Sequence, residues 1–179
     1  MSTHSWFLRL GVAATLAFVA AGPAQAKTHK APTTSALSAW DQAALERARK
    51  SAGQRLAGEQ CLKLLTDFTD SEGQPLQRNL DRYGVSASAY LETIVFKDGS
   101  KLANCARGSV HLATTPGLPV VFVCPAGSST PGSRFAGVQA SNPNLADYMV
   151  IHEMLHTLGL GENPPTTFEI TERVIQRCH

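Results

Sequence analysis

The residues best suited to chemistry lie together, in the stretch HEMLHTLGLGENPP at positions 152–165. His152 and His156 are four apart, one turn of a helix, so both rings project to the same side. Two neutral imidazoles at that spacing can hold one Zn²⁺ at about 2.0–2.1 Å. Glu153 is rotated by about 100° from His152 on such a helix, which sets its carboxylate beside the metal. Zinc lowers the pKa of a bound water to about 7, and a neighbouring carboxylate takes the proton as that water attacks a carbonyl. His152 and His156 are therefore candidate ligands and Glu153 is a candidate general base. The plainer alternative is two structural histidines with an incidental glutamate.

His-Glu-x-x-His resembles the signature of the zincin metallopeptidase superfamily. The longer spacing is similar to the metzincin pattern H-E-x-x-H-x-x-G-x-x-H/D. Gly159 falls on its glycine and Glu162 on its third ligand, a glutamate where that family has histidine or aspartate. A carboxylate oxygen also binds zinc, so the resemblance implies a ligand set of His152, His156 and Glu162. The glycine lets the chain turn sharply and return a ligand to the metal. The methionine turn of metzincins has no counterpart, because no methionine follows Met154. HTLGLGENPP with the later EIT and the four cysteines also resembles a group of small exported bacterial proteins, which implies no substrate. In gluzincins the third ligand is a glutamate of a downstream helix, so Glu169 and Glu172 compete with Glu162. Glu169 has another use, since Thr166 three residues before it makes a capping box. It could also orient a ligating histidine from behind. Glu172 reads as solvent-facing.

These side chains need a helix to hold them. Asn142 is a good cap and Pro143 suits the first helical position. The helix is expected to reach Leu158 and to end at Gly159. Tyr148, Ile151, Leu155 and Leu158 share one face, the expected core face. A short last helix restarts after Pro164 and Pro165. Upstream, residues 38–61 read as a helix with Ser38 and Asp41 at its start. TIVF, the Asp98-Gly99 turn and VVFVC predict a small antiparallel sheet with a hairpin. Residues 125–141 read as a long loop. The expected fold class is α+β: a small zincin-like domain, mainly antiparallel sheet, with an N-terminal helix, the motif helix and a short C-terminal helix.

Residues 1–26 read as an export signal, with Arg9, an apolar run and AQA at Ala24–Ala26 before a mature start at Lys27. Residues 27–37 read as a flexible lead-in, and 38–179 as one domain. The apolar run is short for a membrane span, so no stable anchor is expected after cleavage. The expected location is secreted or periplasmic. Sixteen Lys+Arg against fourteen Asp+Glu give no electrostatic case for nucleic acid or an anionic membrane. Four cysteines in an exported chain predict two disulfides. Three pairings are possible. The favoured one joins Cys105 to Cys124 across neighbouring strands and Cys61 to Cys178 between an early helix and the last.

The leading expectation is a zinc-dependent hydrolase, most simply a peptidase acting on a peptide or protein substrate. An edge strand, VVFVC or the hairpin before it, could align that substrate. The alternatives are a non-catalytic module that zinc stabilises, and an amidase acting on cell-wall peptides. His111 reads as a structural histidine in a strand, and His179 as a mobile terminus. Tyr83, Tyr90 and Arg134 could stabilise an oxyanion, but nothing in the sequence places them. Oligomeric state is not readable.

Overall fold

The computed structural model describes residues 37–106, 110–126 and 133–179. The expected export signal and nearly all of the lead-in lie outside these residues. Leu37, the last residue of that lead-in, packs against the core, and its carbonyl accepts from the Gln42 side-chain Nε2.

α1 (Ala39–Arg55) starts where the sequence places it, with the Ser38 hydroxyl accepting from the Asp41 amide. It stops earlier than expected. The chain turns through Leu56–Gly58 and resumes in two single turns, α2 (Glu59–Leu62) and α3 (Leu64–Asp67). α4 (Leu76–Asp81) and α5 (Ala87–Thr93) follow, and Ser86 caps α5. β1 (Val95–Asp98) then begins two residues later than the TIVF reading.

The hairpin expected at Asp98-Gly99 does not form. Asp98 Oδ1 accepts from the Ser100 amide, and the chain turns out of the sheet into α6 (Ala103–Ala106). It returns as β2 (Leu112–Thr114) and β3 (Val120–Val123). β3 is central, parallel to β1 and antiparallel to β2, in the order β1-β3-β2. The sheet is therefore mixed. Gly99 makes the excursion possible: a Cβ there would lie 2.6 Å from Cys105 Sγ. Disulfides join Cys105 to Cys124 and Cys61 to Cys178, the pairs favoured from sequence.

Part of the expected long loop is helix. α7 (Arg134–Ser141) is capped by Ser133, whose own amide donates to Asp41. α8 (Pro143–Thr157) follows with its Asn142 cap, and α9 (Thr167–Cys178) closes the chain. α8 packs against α1, α7, α9, β2 and β3. It is consequently buried around most of its circumference and is not the one-faced helix the periodicity suggests; Ile151 and Leu155 are buried, but so are Ala146, Val150, Met154 and Asp147. The buried Asp147 carboxylate accepts from Ser51 and from Arg55, which also donates to the Cys178 carbonyl and so ties α1 to both α8 and α9. No described helix is long and apolar enough to cross a membrane.

Candidate metal centre

His152 and His156 sit near the C-terminal end of α8, each only 6 % exposed. Helical spacing brings their Nε2 atoms within 3.0 Å of each other. After α8 the chain reverses at Gly159, with φ +105°, a region glycine enters without steric cost. That turn returns Glu162 to the histidines. Its Oε1 lies 3.4 Å from His156 Nε2 and 3.9 Å from His152 Nε2. These three separations define a circle of radius about 2.0 Å, so one point in their plane lies at a typical metal–ligand distance from all three atoms. His152, His156 and Glu162 could hold a metal ion, and they form the one such cluster among the described residues.

The far side of each ring is held. His156 Nδ1 is 2.7 Å from the Leu160 carbonyl oxygen, which can only accept, so Nδ1 carries the proton. In the neutral ring Nε2 then presents a bare lone pair. His152 Nδ1 is 3.0 Å from Thr171 Oγ1. When that hydroxyl also accepts, two lone pairs face each other, an arrangement a cation between them stabilises. Burial, aided by His156, pushes the His152 pKa down to about 4, against the opposing pull of Glu162. His152 is therefore neutral at pH 7, the form that binds metal. Glu162 is the most exposed of the three, at 42 % for its side chain, and the Thr167 hydroxyl donates to its Oε1. Thr167 and Thr171 are one turn apart on α9, so one face of one helix steadies two members of the cluster.

Glu153 stands outside this set. Its Oε2 accepts from the Thr114 hydroxyl of β2 at 2.6 Å. Burial raises its pKa. The Thr114 hydrogen bond and His156 oppose that rise, and Glu162 adds to it.

A cleft of about 530 Å³ contains the cluster and Glu153, and Leu112–Thr114, Leu145 and Met149 line it as well. β2 is an edge strand, whereas VVFV is the central strand and has no free edge. VVFVC therefore lacks the free edge expected of it, and β2 is the edge strand that lines the cleft.

The other candidates separate clearly. Glu169 is engaged in the capping box, accepting from the Thr166 amide and hydroxyl. Glu172 is exposed on α9. His111 lines the cleft, and its pKa is lowered by burial and by Arg134. Arg134 itself donates to the Cys105 and Val110 carbonyls, a structural use. Tyr90 is buried, with its hydroxyl donating to Thr157; burial pushes its pKa up to about 12. Tyr83 lines a separate cavity with Thr157 and Gly159. His179 is exposed, with Nδ1 near the Gln176 carbonyl. Sequence reasoning missed Thr114, Thr167 and Thr171. The two α9 threonines carried a signal in their four-residue spacing; Thr114 carried none.

No family model, curated protein or solved structure matches this chain.

Proposed function

We propose that this chain is an exported zinc-dependent hydrolase that cleaves amide bonds in peptides or proteins. One observation carries the reading: His152, His156 and Glu162 surround a single point, and Glu153 lines the same cleft without belonging to that set. Two imidazoles and a carboxylate suit zinc among the first-row metals. Three protein ligands leave a fourth position for water or substrate, as catalytic sites do. A zinc held by these residues would lower the pKa of a water and polarise a carbonyl. Glu153 takes the water's proton, while Thr114 holds its carboxylate in place. The edge of β2 can pair with an extended peptide, main chain to main chain. The zincin resemblance of residues 152–162 assigns the same roles. Two disulfides and the signal-like residues 1–26 support export to a secreted or periplasmic location.

The test is metal analysis of the chain from Lys27 onward, with a broad peptide-library digest, on wild type and Glu153→Gln. One zinc per chain is expected in both proteins. Cleavage is expected in wild type and is reduced about 10²–10⁴-fold in the variant. A reconstituted wild type without zinc overturns the reading. Zinc without cleavage in either protein favours a metal-stabilised binding module. The threonines of α9 that touch His152 and Glu162 fit that second reading, since a metal there fastens α8 to the segment before α9.

A further inference from the structure

Glu162 lies on a loop, and its position depends on what holds that loop. The main-chain supports are specific. The Asn79 side-chain amide, on α4, donates to the Leu158 carbonyl at 2.9 Å and to Asp70 Oδ2 at 2.8 Å. Asp70 forms an antiparallel bridge with Leu160. The Leu160 carbonyl is the partner of His156 Nδ1, and Glu162 follows two residues later. Between these contacts, a Cβ on Gly159 would meet Asp70 Cβ at 3.3 Å and Asn79 Nδ2 at 3.4 Å. The Asp70–Asn79 pair is thus pressed against the turn that returns the ligand.

The pair is itself well fixed. Asp70 Oδ1 accepts from the Glu72 and Gln74 amides, so its carboxylate has donors on both oxygens. The Gln74 amide and the Asn79 side chain hold its pKa below the ordinary carboxylate value. Asn79 Oδ1 is sealed from solvent with no hydrogen-bond partner. An unsatisfied buried acceptor costs free energy. The amide is kept in this orientation because its other end makes both contacts.

We infer that Asn79 and Asp70 are positioning residues for the metal centre: they latch the Leu158–Leu160 turn and so fix both Glu162 and the ring of His156. This rests on the metal-binding reading above. Neither residue touches the cluster, and neither is expected to take part in the reaction. Their effect is on metal affinity, because an unlatched turn lets the third ligand sample positions away from the histidines. Residues one layer behind metal ligands commonly change affinity about 10–100-fold.

The experiment is Zn²⁺ titration against a chromophoric chelator, at a temperature where the metal-free proteins are folded by circular dichroism. Wild type, Asn79→Ala, Glu162→Ala and the double variant are compared. Asp70→Asn is a milder second probe should Asn79→Ala fail to fold. Asp41→Ala, which loosens the start of α1, is the control for lost stability alone. Asn79→Ala is expected to raise the dissociation constant about 10–100-fold. In the Glu162→Ala background the same change is expected to have much less effect, because its main route is already gone. Asp70→Asn is expected to weaken binding by a smaller factor, and Asp41→Ala to leave affinity unchanged. An unchanged dissociation constant in Asn79→Ala overturns the inference, as does full additivity in the double variant. A wild type that binds no zinc overturns the metal reading, and the inference with it.

Discussion

The two histidines and the glutamate reach one point by different means. His152 and His156 are fixed by helix geometry, buried, and each braced through Nδ1. Glu162 comes from a turn, keeps much of its side chain in solvent, and owes its place to a threonine hydroxyl and to contacts made by distant chain. A ligand pair on one helix is preorganised as soon as that helix packs. A loop ligand is preorganised only when the tertiary structure around it is complete.

The contrast predicts unequal losses. His156→Ala removes half of the rigid pair and is expected to leave no zinc bound through gel filtration in dilute buffer. Glu162→Ala removes the loop ligand and is expected to leave a weak, labile site that zinc still occupies at higher concentration. Equal affinity in Glu162→Ala and wild type, measured by chelator competition, would remove Glu162 from the ligand set.

A finer prediction concerns the bracing. Thr171→Val keeps the shape of the side chain and removes the hydroxyl beside His152 Nδ1. Zinc affinity is expected to fall about 10–100-fold, as for other changes just behind a ligand. The melting temperature of the metal-free protein should move little. If affinity is unchanged, the His152 ring is held by packing alone.

The same contrast explains what was readable in the sequence. The histidine pair, the Asn142–Pro143 start, the Gly159 stop and the Thr166–Glu169 capping box are local patterns, decided within a turn or two of chain. The early helix was read too long, because the Leu56–Gly58 turn carries only one weak breaker, Gly58. α7 was legible in principle, since Ser133 is a good cap, but the glycines and serines before it read as loop. The sheet was legible only in part: VVFV is a strand as read and pairs antiparallel with β2, but its parallel pairing with β1 was not foreseen. Asp98-Gly99 is a turn in either case, and whether it closes a hairpin or starts the α6 excursion depends on what packs against Gly99. Thr114 is separated from Glu153 by 39 positions, and only the folded sheet brings them together.

The smallest expected effect tests how far the bracing of α9 reaches. Near its C-terminal end, Arg173 and Arg177 both contact Asp67, on the far part of the helix from Thr167 and Thr171. Burial pushes the Asp67 carboxyl up, but hydrogen bonds from Arg177 and Arg173 outweigh it and hold its pKa below the usual value of 3.8. A depressed carboxylate pKa adds stability that is fully present above the unfolded value and lost as pH falls through the folded one. Asp67→Asn is therefore expected to cost about 0.2–1 kcal/mol at pH 7, the range of a surface ion pair. That deficit should shrink as urea unfolding is repeated at falling pH, through the lowered pKa of Asp67, where wild type also loses the charge. A deficit that stays constant with pH would assign the cost to packing. The Cys61–Cys178 disulfide still fastens the same helix end in the variant. Zinc affinity at pH 7 is accordingly expected to match wild type. A loss of affinity as large as that of Thr171→Val would mean that α9 transmits strain along its whole length.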